Sequence, residues 1–276
     1  MTEPPRNRRA PRPQAVLTVR RRAWLSPSLV RITAGGEGLS AFRTNDYTDK
    51  YVKIIFVDPA LGLVPPYDLA GLRESLPPEQ RPVTRTYTVR RVDLDQQALD
   101  IDFVVHGADG IAGPWAASAE PGDTLTLSGA GGAYAPDLTD DWHLFLGDES
   151  AVPAIGSALE ALPDDALGIA YLETQDSSHS PELTAPAGVK LVWLPGPASG
   201  TAPRLLADAL TAGDWLPGRA GVFAHGERES MKAVRAALAN RDLGGGRLSL
   251  SGYWAYGRSE DRFQAEKREP IGRIEG

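Results

Sequence analysis

Apolar and polar residues begin to alternate at Ala15. Val16-Leu17-Thr18-Val19 runs on toward Trp24, and Ser28–Thr33, Tyr51–Val57, Arg85–Arg91, Leu99–Val105 and Asp123–Leu127 repeat the two-residue period. Side chains of a strand point to opposite faces in turn, so each stretch reads as a strand with one buried face. Six short strands punctuated by Gly, Pro and Asp predict an antiparallel barrel or sandwich. The proline-rich stretch Asp58–Pro82 predicts a long loop, and Ile111–Ala119 has the length of one short helix.

Around Gly129–Asp137 the pattern changes. His143–Gly147 is an apolar run ending in a Gly-Asp turn, and Ala151–Leu162 reads as a helix with Pro153 in its first turn. Strands at Leu167–Leu172, Val189–Leu194, Gly221–Ala224 and Leu248–Tyr253 alternate with helices at Pro203–Leu210 and Glu229–Ala239. Strand–helix alternation implies a parallel sheet covered on both faces. The expected organisation is an arm over residues 1–14, a β-barrel domain over 15–136 and an α/β domain over 137–276. The arm, rich in Arg and Pro without an apolar pattern, is expected to be disordered.

Composition narrows the chemistry. With 276 residues, 42% hydrophobic and 24% charged, the chain has the balance of a globular protein with enough material for two cores. Residues 1–136 carry 16 Lys/Arg against 15 Asp/Glu, and residues 137–276 carry 13 against 21. Neither half has the basic surplus that nucleic-acid binding requires. Cysteine is absent, which excludes disulfides, thiolate metal sites, iron–sulfur clusters and cysteine nucleophiles. His106, His143, His179 and His225 show no metal-ligand spacing, so no protein-held metal is expected, and redox chemistry would have to come from an organic cofactor. No apolar run reaches the ~20 residues of a membrane span, and the N-terminus lacks the apolar core of a secretory signal. A cytoplasmic protein without membrane or nucleic-acid partners is expected.

Candidate binding chemistry is concentrated in a few stretches. Thr84–Arg90 places Arg85 and Tyr87 on one strand face, so a ring joined to a phosphate would find a stacking surface and a clamp. An ordinary amphipathic strand accounts for the same residues. His106 either hydrogen-bonds such a ligand or ends its strand, and the small residues Ala112 and Gly113 open a helix whose N–H groups would face a pyrophosphate. Asp148-Glu149-Ser150 occupies the turn after the first parallel strand, where open α/β sheets bind ligands. It is not a G-x-G-x-x-G fingerprint. Gly226 allows close backbone approach, while Glu227 either reaches a ligand or caps the next helix. The aromatics Tyr253 and Trp254 either roof a ring or complete the core.

Taken in order, R-T-Y-T, V-V-H-G…G-P-W-A, P-G-D, G-D-E-S-A-V-P-A-I, H-G-E-R…M-K-A-V-R and G-Y-W…G-R-S-E-D…E-K-R-E resemble the siderophore-interacting protein family. These are flavin-dependent ferric-siderophore reductases of the ferredoxin–NADP reductase-like superfamily, and the resemblance spans residues 15–269. It implies an antiparallel FAD-binding barrel followed by a parallel-sheet NAD(P)H-binding domain. By similarity, Arg85 meets the FAD phosphate, Tyr87 stacks on the isoalloxazine and Thr88 lies near its N5. His106, Ala112, Gly113 and Trp115 line the ribityl and pyrophosphate. Asp148, Glu149 and Ser150 form the nicotinamide side with Gly226 and Glu227, and Tyr253 and Trp254 complete the cofactor site.

The reaction implied is hydride transfer from NAD(P)H to FAD, then single-electron reduction of siderophore-bound Fe(III). No catalytic residue beyond the flavin is required, and iron is held only through the siderophore. Lys53, Arg258, Lys267 and Arg268 are the basic side chains expected around the ferric siderophore, and a monomer is expected. Two departures stand out. Ser128–Gly132 lacks the arginine common in the family, and Ala255-Tyr256 follows Gly-Tyr-Trp where relatives often carry basic residues. A less cationic pocket favours a neutral, cationic or weakly anionic hydroxamate-type complex over a tricatecholate. The acids of Glu173-Thr174-Gln175-Asp176 and the absence of arginine in Leu194–Pro197 favour NADH over NADPH. The alternatives are a general NAD(P)H flavin-dependent reductase and a non-catalytic ferric-siderophore-binding protein.

Overall fold

The computed structural model describes residues 13–107, 110–197 and 200–274. Residues 1–12 of the expected arm lie outside the described residues, and Gln14 already belongs to the first strand.

Six strands close the barrel: β1 (Gln14–Ser26), β2 (Leu29–Gly35), β3 (Tyr51–Phe56), β4 (Val83–Asp93), β5 (Ala98–Val104) and β6 (Thr124–Gly131). Their order is β1-β2-β5-β4-β3-β6, every pairing antiparallel. Inward positions such as Leu17, Ile32, Ile54, Ile101 and Leu127 meet in one core, which is the period-2 pattern realised. The loop expected between β3 and β4 contains a short helix, α1 (Leu69–Ser75), whose Asp68 side chain accepts from Gly71 N at 3.1 Å. That cap satisfies a free N–H which the proline-rich flanks cannot. α2 (Ala112–Ser118) lies between β5 and β6.

Parallel strands β7 (Trp142–Gly147), β8 (Leu167–Thr174), β9 (Gly188–Pro195), β10 (Ala220–Glu227) and β11 (Leu248–Trp254) follow, in the order β11-β10-β7-β8-β9. α3 (Val152–Glu160), α4 (Leu205–Ala212) and α5 (Arg228–Leu238) connect them, with Pro153 in the first turn of α3. The chain reverses direction across the sheet between β7 and β10, and such a switch point opens a crevice at the carboxyl ends of the strands. A last helix, α6 (Glu260–Glu266), was not expected from periodicity; Ser259 caps it.

The two halves share a core. Leu29 of β2 and Tyr134 of the connection pack with Phe145, Ile155 and Phe223 of the sheet domain, and the Tyr134 ring lies 4.7 Å from that of Phe223. Asp49, buried before β3, accepts from the N–H groups of Ala133 and Tyr134, both at 2.9 Å, and so fixes where the chain leaves the barrel. Leu29→Ala is therefore expected to cost about 3 kcal/mol. A thermal melt followed by far-UV circular dichroism should show one transition at lower temperature, because the cavity belongs to both domains.

Candidate functional site

A cleft of about 1190 Å³ runs between β3 and β4 of the barrel and the carboxyl edge of the sheet, with α6 along its mouth. The barrel wall includes Tyr51, Lys53, Arg85, Thr86, Tyr87 and Thr88. β5 pairs with β4 only from Val89 onward, so Arg85–Thr88, which line the cleft, have no neighbouring strand on that side; the Glu260 carboxylate accepts from Thr86 N there. The Tyr87 ring lies against Phe103 with centroids 4.4 Å apart and also lines the cleft. Burial pushes its phenol pKa up.

Opposite stands the switch point. Asp148, immediately after β7, is fully buried and receives four hydrogen bonds. Its Oδ1 accepts from Ser150 N at 2.9 Å and Ser150 Oγ at 2.5 Å, and its Oδ2 from Glu227 N at 2.7 Å and Trp254 Nε1 at 2.8 Å. One carboxylate thus ties the ends of β7, β10 and β11 together. Burial raises its pKa, and the donors from Ser150, Trp254 and Glu227 oppose that rise. Gly226 is required by close approach: a Cβ there would sit 2.8 Å from Asp148 Oδ2 and 3.3 Å from its N.

Glu227 has the capping role. Its Oε2 accepts from Glu229 N at 2.6 Å and Ser230 N at 2.9 Å, starting α5, while Oε1 accepts from Tyr256 N at 3.1 Å. It orients the segment after β11 rather than lining the cleft. Glu149 does line it; its Oε1 accepts from Ser28 Oγ of the barrel at 2.7 Å, and its buried Oε2 has no partner.

The remaining expected residues separate into two groups. His106, Ser150, Tyr253, Trp254, Arg258, Lys53 and Lys267 line the cleft. Ala112, Gly113 and Trp115 do not: Ala112 and Trp115 belong to the barrel core, where the indole packs 5.6 Å from Phe103 and 5.8 Å from Phe56, and Gly113 is buried beside them in α2. Arg268 is exposed on the turn after α6, outside the cleft wall. Glu173, read as a candidate for the ribose, is only 1% exposed.

Two further cleft residues, His225 and Glu260, belong to the H-G-E-R and G-R-S-E-D stretches. His225 lies in the wall, its ring 3.9 Å from Phe223 and edge-on to Tyr253, with Nε2 at 2.9 Å from Ser249 Oγ and Nδ1 without a partner. Burial lowers its pKa to about 3, so it is neutral. Glu260, at the start of α6, reaches Thr86 of the R-T-Y-T strand. Ser259-Glu260-Asp261 carries a helix-start signal, a capping serine followed by acids. Among the described residues no group of His, Cys, Asp and Glu is arranged to hold a metal ion, and no helix is long and apolar enough to cross a membrane.

The Arg85–Thr88 wall, the Tyr87 ring and the Asp148–Ser150 turn across the cleft suit a large ligand with an aromatic ring and polar tail. A closed barrel followed by a β11-β10-β7-β8-β9 sheet is the fold of the ferredoxin reductase-like flavoproteins. Residues 18–134 match the siderophore-interacting FAD-binding domain, and residues 140–257 match the siderophore-interacting protein family. The chain belongs to the siderophore-interacting protein family. The ferric vibriobactin reductase ViuB of Vibrio cholerae is 34% identical over 252 residues, covering 90% of this chain and 91% of ViuB. The NADPH-dependent ferric-chelate reductase of Escherichia coli is 33% identical over 183 residues, covering 64% of this chain and 70% of that protein. The crystal structure of the siderophore-interacting protein SipS from Aeromonas hydrophila superposes with a TM-score of 0.76 at 28% identity, covering 95% of this chain and 99% of SipS.

Two substitutions probe the sheet edge. Asp148→Ala leaves the Glu227 N–H and the Trp254 indole without their acceptor and is expected to cost about 3 kcal/mol. A chemical-denaturation curve and a shifted Trp emission spectrum would register it. Glu173, whose Oε1 has no partner, is raised to about pKa 7 by burial and then by Asp148, Glu227 and Glu149. A carboxyl raised in the fold binds more protons there than when unfolded, so its charging costs stability as pH rises from about 4.5 to about 7. Glu173→Gln should therefore stabilise by roughly 1–3 kcal/mol at pH 8, with the gain vanishing by pH 4. Denaturation midpoints across that range check both sign and window.

Proposed function

We propose that this protein is a cytoplasmic ferric-siderophore reductase that uses FAD and a nicotinamide nucleotide. The supporting observation is the juxtaposition in one cleft of the R-T-Y-T strand edge with the Asp148-Glu149-Ser150 turn at the switch point. FAD, when bound, supplies the passage from a two-electron nicotinamide donor to a one-electron ferric acceptor. Arg85 would hold its phosphates, and Tyr87 and Thr88 would meet its ring. The cofactor-binding unit is the barrel, residues 15–136, and residues 137–276 bind the nucleotide and contribute the C-terminal wall. The active unit is a monomer.

The cleft keeps its shape through contacts between its own walls. Tyr253, from β11, meets the Thr88 side chain across it, and burial pushes the Tyr253 phenol up so that it stays protonated. Asp148 and Glu227 fix the backbone at the sheet edge, leaving Ser150 and the α3 N-terminus to face the nicotinamide nucleotide. Ala112, Gly113 and Trp115 act from behind, by setting the position of α2 against the barrel. Fe(II) is a softer, weaker partner than Fe(III) for the hard oxygen donors of siderophores, so reduction alone releases it. The protein needs no iron ligands of its own.

The ribose-facing acid changes in this reading. With Glu173 buried, Asp176 is the exposed carboxylate after β8, held below its usual range at pKa about 2 by Ser178 and His179. It repels a 2′-phosphate, which favours NADH over NADPH.

Two experiments test the function. Protein stripped of flavin should quench FAD fluorescence on titration, and Tyr87→Ala or Arg85→Ala should each weaken that binding by about tenfold or more. The yellow protein should bleach with NADH faster than with NADPH, and its colour should return on anaerobic addition of a ferric siderophore. A protein that binds FAD but is not bleached by either nucleotide would overturn the reductase reading, and a colourless protein that FAD cannot reconstitute would exclude a flavoenzyme altogether.

A further inference from the structure

The mouth of the cleft carries four cations, Lys53, Arg85, Arg258 and Lys267. Three of them are matched by carboxylates of α6. Glu260 Oε1 lies 3.6 Å from Lys53 Nζ, Asp261 Oδ2 3.6 Å from Arg85 Nη1, and Glu266 Oε1 2.8 Å from Arg258 Nε. Glu260 is the one hydrogen-bonded to the barrel wall. Its Oε1 also accepts from Thr86 Oγ1 at 2.7 Å, and Thr86 N reaches the carboxylate at 3.2 Å. Thr86 Oγ1 in turn accepts from Lys53 Nζ, so lysine, threonine and glutamate form one chain of contacts across β3, β4 and α6.

Glu260 projects from a helix that is itself anchored, and its carboxylate is held by Thr86 and Lys53. Phe263 is buried, and Glu266 is gripped by Arg228 of α5 at 2.7 Å and by Arg262 at 3.0 Å. Arg228, Arg258 and Arg262 together hold the Glu266 carboxyl down to pKa about 2, so the anchor persists at every physiological pH. Asp261, by contrast, is exposed, and solvent screens its pairing with Arg85. Lys267 lies over the Phe263 ring at 4.8 Å and adds a second positive charge near Lys53.

We infer that Glu260 is a specificity-determining residue: its fixed carboxylate neutralises Lys53 and biases the cleft against ferric complexes of high negative charge. This rests on the reductase reading above and deepens it. A ferric tris-catecholate carries three negative charges, a ferric trihydroxamate none, and a trihydroxamate with a free amine one positive charge. All three present oxygen-wrapped iron of similar size, so charge at the mouth is what separates them. The arginine missing from Ser128–Gly132 lowers the positive charge passively. Glu260 lowers it actively, at the lysine nearest the R-T-Y-T strand.

The test compares kcat/KM for a ferric tris-catecholate trianion and an amine-bearing ferric trihydroxamate, in wild type and in Glu260→Gln. Glutamine keeps an acceptor for Thr86 but removes the charge. The ratio of trianion to cation rates should rise about tenfold in the variant, and the salt dependence of the trianion rate should become more strongly attractive. Lys53→Met is the second variant and removes the other partner: the trianion rate should fall and the cation rate hold or rise as Glu260 is left uncompensated. Flavin content and absorbance report that each variant is folded. If wild type reduces both complexes and neither variant moves the ratio or the salt dependence, the inference is wrong. If wild type reduces no ferric complex, the reductase reading itself fails.

Discussion

The buried carboxylate of Asp148 is the constraint on which the site depends. Three strand ends that are distant in sequence, those of β7, β10 and β11, meet on its two oxygens. Removing a charge from water is costly, and here four donors offset that cost. The arrangement leaves no room for a side chain at position 226. It also sets the position of Glu227, whose own carboxylate then starts α5 and holds the backbone of Tyr256. A chain of hydrogen bonds thus runs from the switch point of the sheet to the segment that leads into α6.

α6 carries that order across to the barrel. One end is fixed to α5 through Glu266 and Arg228, the other to β4 through Glu260 and Thr86. The barrel and sheet already share apolar packing around Leu29 and Tyr134, and Ser28 bonds Glu149 at the same junction. The cleft is therefore bounded by contacts on both sides of the domain interface rather than by a loose hinge. A cofactor bound there would meet walls whose geometry is set before it arrives, which lowers the ordering cost of binding.

How much of this the sequence reveals depends on the range of the interaction. The barrel strands are legible because one face is buried and the other is not, and the parallel strands because both are. α1 and α6 escape because each starts from a side-chain cap, Asp68 in one case and Ser259 in the other, inside a stretch without a clear apolar period. Arg85, Tyr87, Thr88 and the Asp148–Ser150 turn are readable as local motifs, and the structure brings them to one cleft. The helix start at Ala112 is equally readable, yet its side chains face the barrel core. Glu227 illustrates two roles that local sequence cannot separate, and the cap is the one the backbone requires. The Lys53–Thr86–Glu260 chain and the burial of Glu173 are products of tertiary packing, with no trace in residue spacing.

The central claim is that electrons pass from a nicotinamide nucleotide through this cleft to iron held by a siderophore. Its most direct test is an anaerobic stoichiometry, counting Fe(II) trapped by a ferrous chelator against nucleotide oxidised, with FAD-loaded protein and a ferric trihydroxamate. Each nucleotide donates two electrons and each ferric ion accepts one, so the account predicts two Fe(II) per nucleotide. Oxidation of the nucleotide without release of Fe(II) would contradict it.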